Sequence, residues 1–158
     1  MKTLVSIFRR ACTSGGWASA ASAGAMAAAG VRDCQSTFAP INAVSHWIWA
    51  DPALRKDRPS LRYTATGYAI HHLASIFWAH LFEGLSEVTG RPRSNKELLV
   101  DAATVAAVAA VVDLRCTPER LTPGFERRLQ PVPLTAVYVA FGLGLAWHAL
   151  RREPDDRR

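Results

Sequence analysis

The stretch LQPVPLTAVYVAFGLGLAWHAL, residues 129–150, contains no Asp, Glu, Lys or Arg over 22 residues. Two more gaps between charged residues, 11–31 and 63–82, run for 21 and 20 residues, and the stretch 98–112 is apolar except for Asp101. About 20 apolar residues, rising ~1.5 Å each in an α-helix, cover the ~30 Å hydrocarbon core of a bilayer. The sequence therefore predicts an all-α integral membrane bundle of four transmembrane helices.

The average composition hides this pattern. The 158 residues are 49% hydrophobic and 20% charged, with a mean hydropathy of +0.04, as in many soluble proteins. The charges, however, lie in blocks that flank the gaps, as at Arg9-Arg10, residues 55–58 and Arg151-Arg152. A soluble, alanine-rich helical bundle is the alternative, but such a bundle would place charge on every turn.

The net charge of +6 comes from 19 basic and 13 acidic residues. Because the basic residues lie at segment ends and not along one face, lipid headgroups are the predicted partners and nucleic acid is not. Lys2, Arg9 and Arg10 precede the first apolar segment and only Arg32 closely follows it. The positive-inside rule then predicts that both termini are cytoplasmic.

The predicted spans lie at about 12–31, 62–83, 97–114 and 132–150, and residues 151–158 form a solvated tail. Ser94 and Glu97 have the spacing of a capping box at the start of the third span. Small residues share one face in three spans: Gly16, Ala20, Gly24 and Ala28 in the first, Ala102, Ala106 and Ala109 in the third, and Ala136, Ala140 and Gly144 in the fourth. Such faces let helices approach closely, within the bundle, in another membrane protein or between copies of the chain.

Between the first two spans, residues 40–50 predict an interfacial helix. Pro40 suits a first helical turn. The apolar residues Phe38, Ile41, Val44 and Ile48 fall on one face. Asn42 and His46 fall on the opposite face, as in helices that lie flat at a membrane surface. Further along, the two Thr-Pro pairs at 117–118 and 122–123 predict two short helical turns.

Three motifs carry a resemblance: PINAVSHW at 40–47, the pair His71-His72, and LTPGFE at 121–126. Together they resemble a group of small bacterial inner-membrane proteins that have no assigned activity. The likeness covers residues 38–129. It implies a four-span topology and a location in the bacterial inner membrane, and it implies no reaction.

The second span carries the ionisable residues His71, His72, His80 and Glu83. At 100° per residue, His72 and Glu83 lie about 20° apart around the helix. Because a charge at the bilayer centre costs roughly 2.5–3.5 kcal/mol on insertion scales, such residues usually face the protein interior. Asp101 in the third span is a further intramembrane polar residue, and a partnership with His80 is one option for it.

Two functional interpretations follow from these residues. No motif commits to a reaction, so the first is a non-enzymatic accessory or interaction protein whose histidines form hydrogen bonds inside the bundle, without a cofactor. The alternative is a metal-, haem- or proton-handling protein that uses His72, His80 and Glu83. Asp101 would join them in a proton path. Asp113 is expected to pair with Arg115.

Cys34 and Cys116 lie just beyond the ends of the first and third spans, which places them on the same predicted periplasmic side. A disulfide between them requires Cα atoms within about 7 Å and an oxidising compartment. Two free thiols are the other option, and the sequence leaves both open.

Overall fold

The computed structural model describes residues 2–89 and 93–152, and every regular element within them is helical, which confirms the predicted all-α class. The α-helices are α1 (Lys2–Cys34), α2 (Ala39–Val44), α3 (His46–Trp49), α4 (Thr66–Thr89), α5 (Asn95–Val111) and α6 (Pro131–Leu150). One-turn π-helical segments precede α4 at Leu61–Ala65 and follow α5 at Val112–Cys116. Most of the predicted tail, residues 153–158, lies outside the described residues.

The four long helices form an up-down-up-down bundle in which α1 packs most extensively against α6 and α4. Hydrogen bonds from Ser14 to Glu83 and between Ser22 and His71 set α1 antiparallel to α4. α5 packs mainly on α6. α1 begins ten residues before the predicted span at residue 12, because Arg9 and Arg10 are both helical. Arg10 can point inward there because it meets Glu83.

Glycines on the buried face of α1 and on α6 allow close backbone contacts between the long helices. A Cβ on Gly144 would lie 2.5 Å from Ala18 Cα, and one on Gly15 would lie 2.8 Å from Ile76 Cα. The small-residue face predicted for α6 thus includes Gly144, the residue that meets α1. The small-residue face predicted for α1 is a face that the bundle leaves open, since Ala20, Gly24 and Ala28 are exposed.

The predicted helix at 40–50 divides at Ser45 into α2 and α3, and the segment packs over the end of the bundle. Asn42 and His46, which were expected opposite the apolar face, are buried together with Ile41 and Val44. Asn42 Nδ2 donates 3.0 Å hydrogen bonds to the carbonyls of Lys56 and Arg58. Burial of Asn42 is thus compensated by bonds that fix the following loop.

α5 begins with the predicted capping box. Ser94 Oγ accepts a hydrogen bond from the Glu97 backbone N–H, and the Glu97 carboxylate accepts one of 2.8 Å from the Ser94 N–H. The predicted alanine face of α5 is buried, at Ala102, Ala106 and Ala109. The predicted turns after the Thr-Pro pairs form as 3₁₀ turns, Glu119–Leu121 and Phe125–Arg127.

The bundle has an apolar core, but its long helices also expose many large apolar side chains and bury several polar ones. Large apolar side chains are exposed on all four long helices: Leu4, Val5, Phe8, Trp17 and Val31 on α1; Tyr68, Leu73, Phe77, Leu81, Leu85 and Val88 on α4; Leu99, Val100, Val108 and Val111 on α5; Val132, Val139, Leu143 and Trp147 on α6. Polar side chains are buried beside the apolar core: Ser14, Ser19, Ser22, His71, Ser75 and Glu83 on α1 and α4, and Asn42, Ser45, His46 and Arg93 elsewhere. Hydrogen bonds between helices therefore replace part of the usual apolar core.

By length and composition alone, one helix of the described chain, α6, is long and apolar enough to cross a membrane. α5 has only 17 residues, α4 carries three histidines and Glu83, and α1 consists largely of Ala, Gly and Ser.

Candidate functional site

The three motifs that carry the resemblance meet at one cavity of about 80 Å³ at the end of the bundle where α1 terminates. Its lining includes Val44 and Trp47 from the first motif, His71 from the second, and Pro123 and Phe125 from the third. Residues far apart in the sequence thus form one site, and this convergence marks the cavity as a candidate site.

Contacts between the first and third motifs form one wall of this cavity. Trp47 Nε1 donates a 2.8 Å hydrogen bond to the Thr122 carbonyl. Gly124 has a φ of +88°, and a Cβ there would lie 2.6 Å from the Ala43 carbonyl oxygen. Only glycine combines this left-handed conformation with such a close approach.

His71 joins α4 to α1 beside the cavity. Its Nε2 lies 3.0 Å from Ser22 Oγ, and the Ser22 hydroxyl donates to the Ala18 carbonyl at 2.7 Å. Which of Ser22 Oγ and His71 Nε2 donates depends on the tautomer of the imidazole. Ser75 Oγ in turn donates to the His71 carbonyl. The Ser22–His71 hydrogen bond therefore connects α1 and α4.

Asp113 lies on the opposite wall of the cavity. It is bound to Tyr138 and not, as expected, to Arg115. Its carboxylate accepts a 3.2 Å hydrogen bond from the Tyr138 hydroxyl. Asp113 belongs to the π-helical segment Val112–Cys116, whose wider turn changes the angular position of its residues relative to α5. The cavity thus combines one imidazole, one carboxylate and one phenol with the indoles of Trp47 and Trp78.

A second polar cluster lies at the opposite end of the bundle, around the fully buried Glu83. Ser14 Oγ donates to its carboxylate at 2.9 Å, Arg152 donates two hydrogen bonds, and Arg10 Nε lies 3.5 Å from Oε2. These contacts to Glu83 come from α1 and Arg152, and not from the histidines of the stripe predicted for the second span.

The histidines of that stripe have separate surroundings. His80 Nδ1 lies 3.1 Å from the Ile76 carbonyl oxygen, and its ring is 5.4 Å from that of Phe8. His72 stacks on Tyr68, with ring centroids 5.8 Å apart. Over residues 2–89 and 93–152, no three His, Cys, Asp or Glu side chains are grouped closely enough to hold a metal ion.

Asp101 binds Arg93, and not His80 as one option had it. Arg93 is buried: it also donates to the Phe82 carbonyl at 3.3 Å, and its guanidinium lies 5.2 Å from the centroid of the Phe82 ring. The sequence gives a weak signal for this pair, since Arg93 comes just before the capping box and eight residues before Asp101.

The cysteines are free thiols in the structure. Cys34 Sγ donates to the Arg128 carbonyl, and Cys116 is exposed. Both lie at the same end of the bundle, as the topology predicted, because α1 and α5 run in the same direction.

Comparison of the chain with models of known protein families, with curated protein sequences and with solved structures finds no match.

Proposed function

We propose that this protein is a four-span, non-enzymatic accessory protein of the bacterial inner membrane. The observation that carries the proposal is the apolar surface of the bundle: large apolar side chains are exposed on every long helix, while serines, histidines and a glutamate are buried beside the apolar core. Lipid stabilises such a surface, whereas water does not.

The marginal hydropathy of α1 is compatible with a membrane position, because α1 lies between α4 and α6 and presents small residues to both. Helices that pack closely through small residues gain stability from van der Waals contact and hydrogen bonds, which do not depend on the hydrophobic effect.

The bonding of the interior polar groups supports an accessory role over catalysis. Ser22 and His71 bond to each other, and Glu83 bonds to Ser14, Arg10 and Arg152. These groups hold helices together.

The rival role in metal, haem or proton handling has weaker support. It requires His72, His80 and Glu83 to act together, but the carboxylate of Glu83 is engaged by two guanidinium groups and a hydroxyl. A visible absorption spectrum and a metal analysis of the purified protein test this rival directly. A Soret band or a stoichiometric metal would favour it over the accessory role.

Membrane integration is tested by alkaline carbonate extraction followed by spin labelling. The protein should stay in the membrane pellet. A spin label at Phe77, which is 59% exposed, should collide with lipid-dissolved oxygen, whereas one at Ser75, which is 2% exposed, should not. Release of the protein by carbonate, or water contact at Phe77, would contradict the four-span arrangement.

A further inference from the structure

The walls of the cavity beside His71 are mainly aromatic. Five aromatic side chains line it: Trp47, Trp78, Phe125, Tyr138 and Phe141. Among the described residues, one acidic side chain, that of Asp113, belongs to the lining, and no lysine or arginine does. An apolar, aromatic site with a single carboxylate has the chemistry that recognises an organic cation, because the ring faces and the carboxylate both attract positive charge.

Asp113 has no counter-charge within the described part of the chain. Its carboxylate accepts a hydrogen bond from the Tyr138 hydroxyl, and in residues 2–89 and 93–152 no ion pair reaches it, not even from the exposed Arg115. The Glu126 carboxylate lies near enough to repel the charge of Asp113. Glu126 Oε2 is itself buried, with no hydrogen-bond partner among the described residues, and Oε1 lies 3.9 Å from Arg127 Nε. Because burial of a negative charge is costly unless the charge is paired, this part of the protein favours a bound cation.

The aromatic walls are held in position by contacts within the chain. Trp47 Nε1 donates a 2.8 Å hydrogen bond to the Thr122 carbonyl. Phe125 is buried, and its ring centroid lies 6.1 Å from that of Tyr138, whose hydroxyl is bonded to Asp113. Because these groups are already ordered, little conformational freedom is lost when a ligand binds between them.

We propose that the cavity binds a small alkylammonium ion, with the ammonium group at the Asp113 carboxylate and the alkyl groups against the rings of Trp47 and Trp78. A cavity of about 80 Å³ has the volume of roughly two to three water molecules at ~30 Å³ each, so it accommodates a branched alkylammonium of a few non-hydrogen atoms. The site goes beyond the accessory role and does not depend on the membrane location, because contacts within the chain form it.

Equilibrium dialysis of the full-length protein in an uncharged detergent tests the site with two probes, isopropylammonium and propan-2-ol. The probes share one branched carbon skeleton and differ in bearing an ammonium or a hydroxyl group. Isopropylammonium should bind saturably, with an affinity at least about tenfold higher than that of propan-2-ol, because hydrogen bonds between charged groups are stronger than those between neutral groups. Equal affinity of the two probes, or no saturable binding of isopropylammonium, would overturn the proposal.

Asp113→Asn tests the role of the carboxylate. The amide keeps the size of the side chain and an oxygen that accepts from Tyr138, so the variant should fold, as circular dichroism checks. The affinity for isopropylammonium should fall about tenfold, and the weak binding of propan-2-ol should not change. Asp51→Asn is the matched control, because Asp51 is exposed and does not line the cavity. Unchanged isopropylammonium affinity in Asp113→Asn, or an equal loss in Asp51→Asn, would contradict the assigned role of Asp113.

Trp78→Leu tests the aromatic wall. Leucine keeps an apolar side chain but removes the ring face, so the affinity for isopropylammonium should fall about fivefold. Trp17→Leu is the control, because Trp17 is half-exposed on α1 and does not line the cavity. Unchanged affinity in a folded Trp78→Leu variant would contradict the placement of the cation against this ring, and if the variant does not fold, Asp113→Asn decides the proposal. Displacement of isopropylammonium by an equal concentration of sodium chloride would identify a site for inorganic cations and overturn the alkylammonium assignment.

Discussion

Arg152 donates two hydrogen bonds to the carboxylate of Glu83 inside the bundle, with Nη1 3.0 Å from Oε2 and Nη2 bonded to Oε1. This bidentate pair joins the last turns of α4 to the residue just after α6. Ser14 and Arg10 of α1 bind the same carboxylate. One buried acidic side chain thus connects three helices at one end of the protein.

Replacing Glu83 by glutamine should strongly destabilise the fold. The amide keeps the shape of the side chain but removes a buried negative charge that binds both Arg10 and Arg152. Removing one partner of a buried ion pair typically costs about 3–5 kcal/mol of unfolding free energy. Thermal and denaturant unfolding of the detergent-solubilised protein, followed by circular dichroism, measures the loss.

Glu119→Gln is the control for this substitution. Glu119 pairs with Arg127 at 3.0 Å, but its side chain is 87% exposed, so its loss should cost less than about 1 kcal/mol. Equal stability of Glu83→Gln and the wild-type protein would mean that the ion cluster does not hold the three helices together.

The four long helices could be predicted from the sequence because gaps between charges and a capping box mark them directly. The start of α1 could not be predicted. The pair Arg9-Arg10 predicts a boundary, yet both residues are helical, since Arg10 meets the carboxylate of Glu83, which lies 73 residues further along the chain. A charge marks a helix end only when it has no partner inside.

The candidate site was harder to predict than the helices. Residues 11–30 of α1 are all small except Trp17 and Met26, so spacing alone could not show that Gly15 and Ala18 form the buried face and that Gly24 lies outside. The contact of Gly124 with Ala43 depends on a long-range arrangement that no local pattern encodes. The motifs were visible in the sequence, whereas their convergence on one cavity was not.

Gly144→Ala should weaken the packing of α6 on α1. The added methyl group would lie 2.5 Å from Ala18 Cα and 2.8 Å from the Trp17 carbonyl oxygen, so the two backbones must separate. Overpacking of this kind costs about 1–3 kcal/mol. The expected result is a lower thermal midpoint, measured in the same detergent.

Gly84→Ala is the matched control for helix propensity, because a Cβ at Gly84 meets no atom within 4 Å. Alanine in place of an unconstrained helical glycine should leave the midpoint unchanged or raise it, by up to about 1 kcal/mol of stability. The contact between α1 and α6 would be in doubt if both substitutions changed the midpoint in the same direction.

Asn42→Ala should loosen the segment that covers the cavity end of the bundle. The substitution removes both donors to the carbonyls of Lys56 and Arg58 and the acceptor for the Thr64 hydroxyl. Each buried partner left without a hydrogen bond costs about 1–3 kcal/mol. Hydrogen exchange should accelerate in residues 51–65 while the α1–α6 contact stays protected, and the exposed Gln130→Ala serves as control. Uniform acceleration across the bundle would argue against a local role.

Maleimide labelling of the cysteines tests the orientation of the bundle. Cys34 and Cys116 lie at the end where α1 and α5 terminate, which is the predicted periplasmic side. Cys116 is exposed, whereas the Cys34 thiol is half-buried and donates to the Arg128 carbonyl, so a membrane-impermeant maleimide should label Cys116 first in intact cells. Cys12, near the start of α1, should react only after the membrane is opened. Labelling of Cys116 that requires a reductant would indicate a bond to Cys34, and labelling of Cys12 alone in intact cells would reverse the assigned orientation.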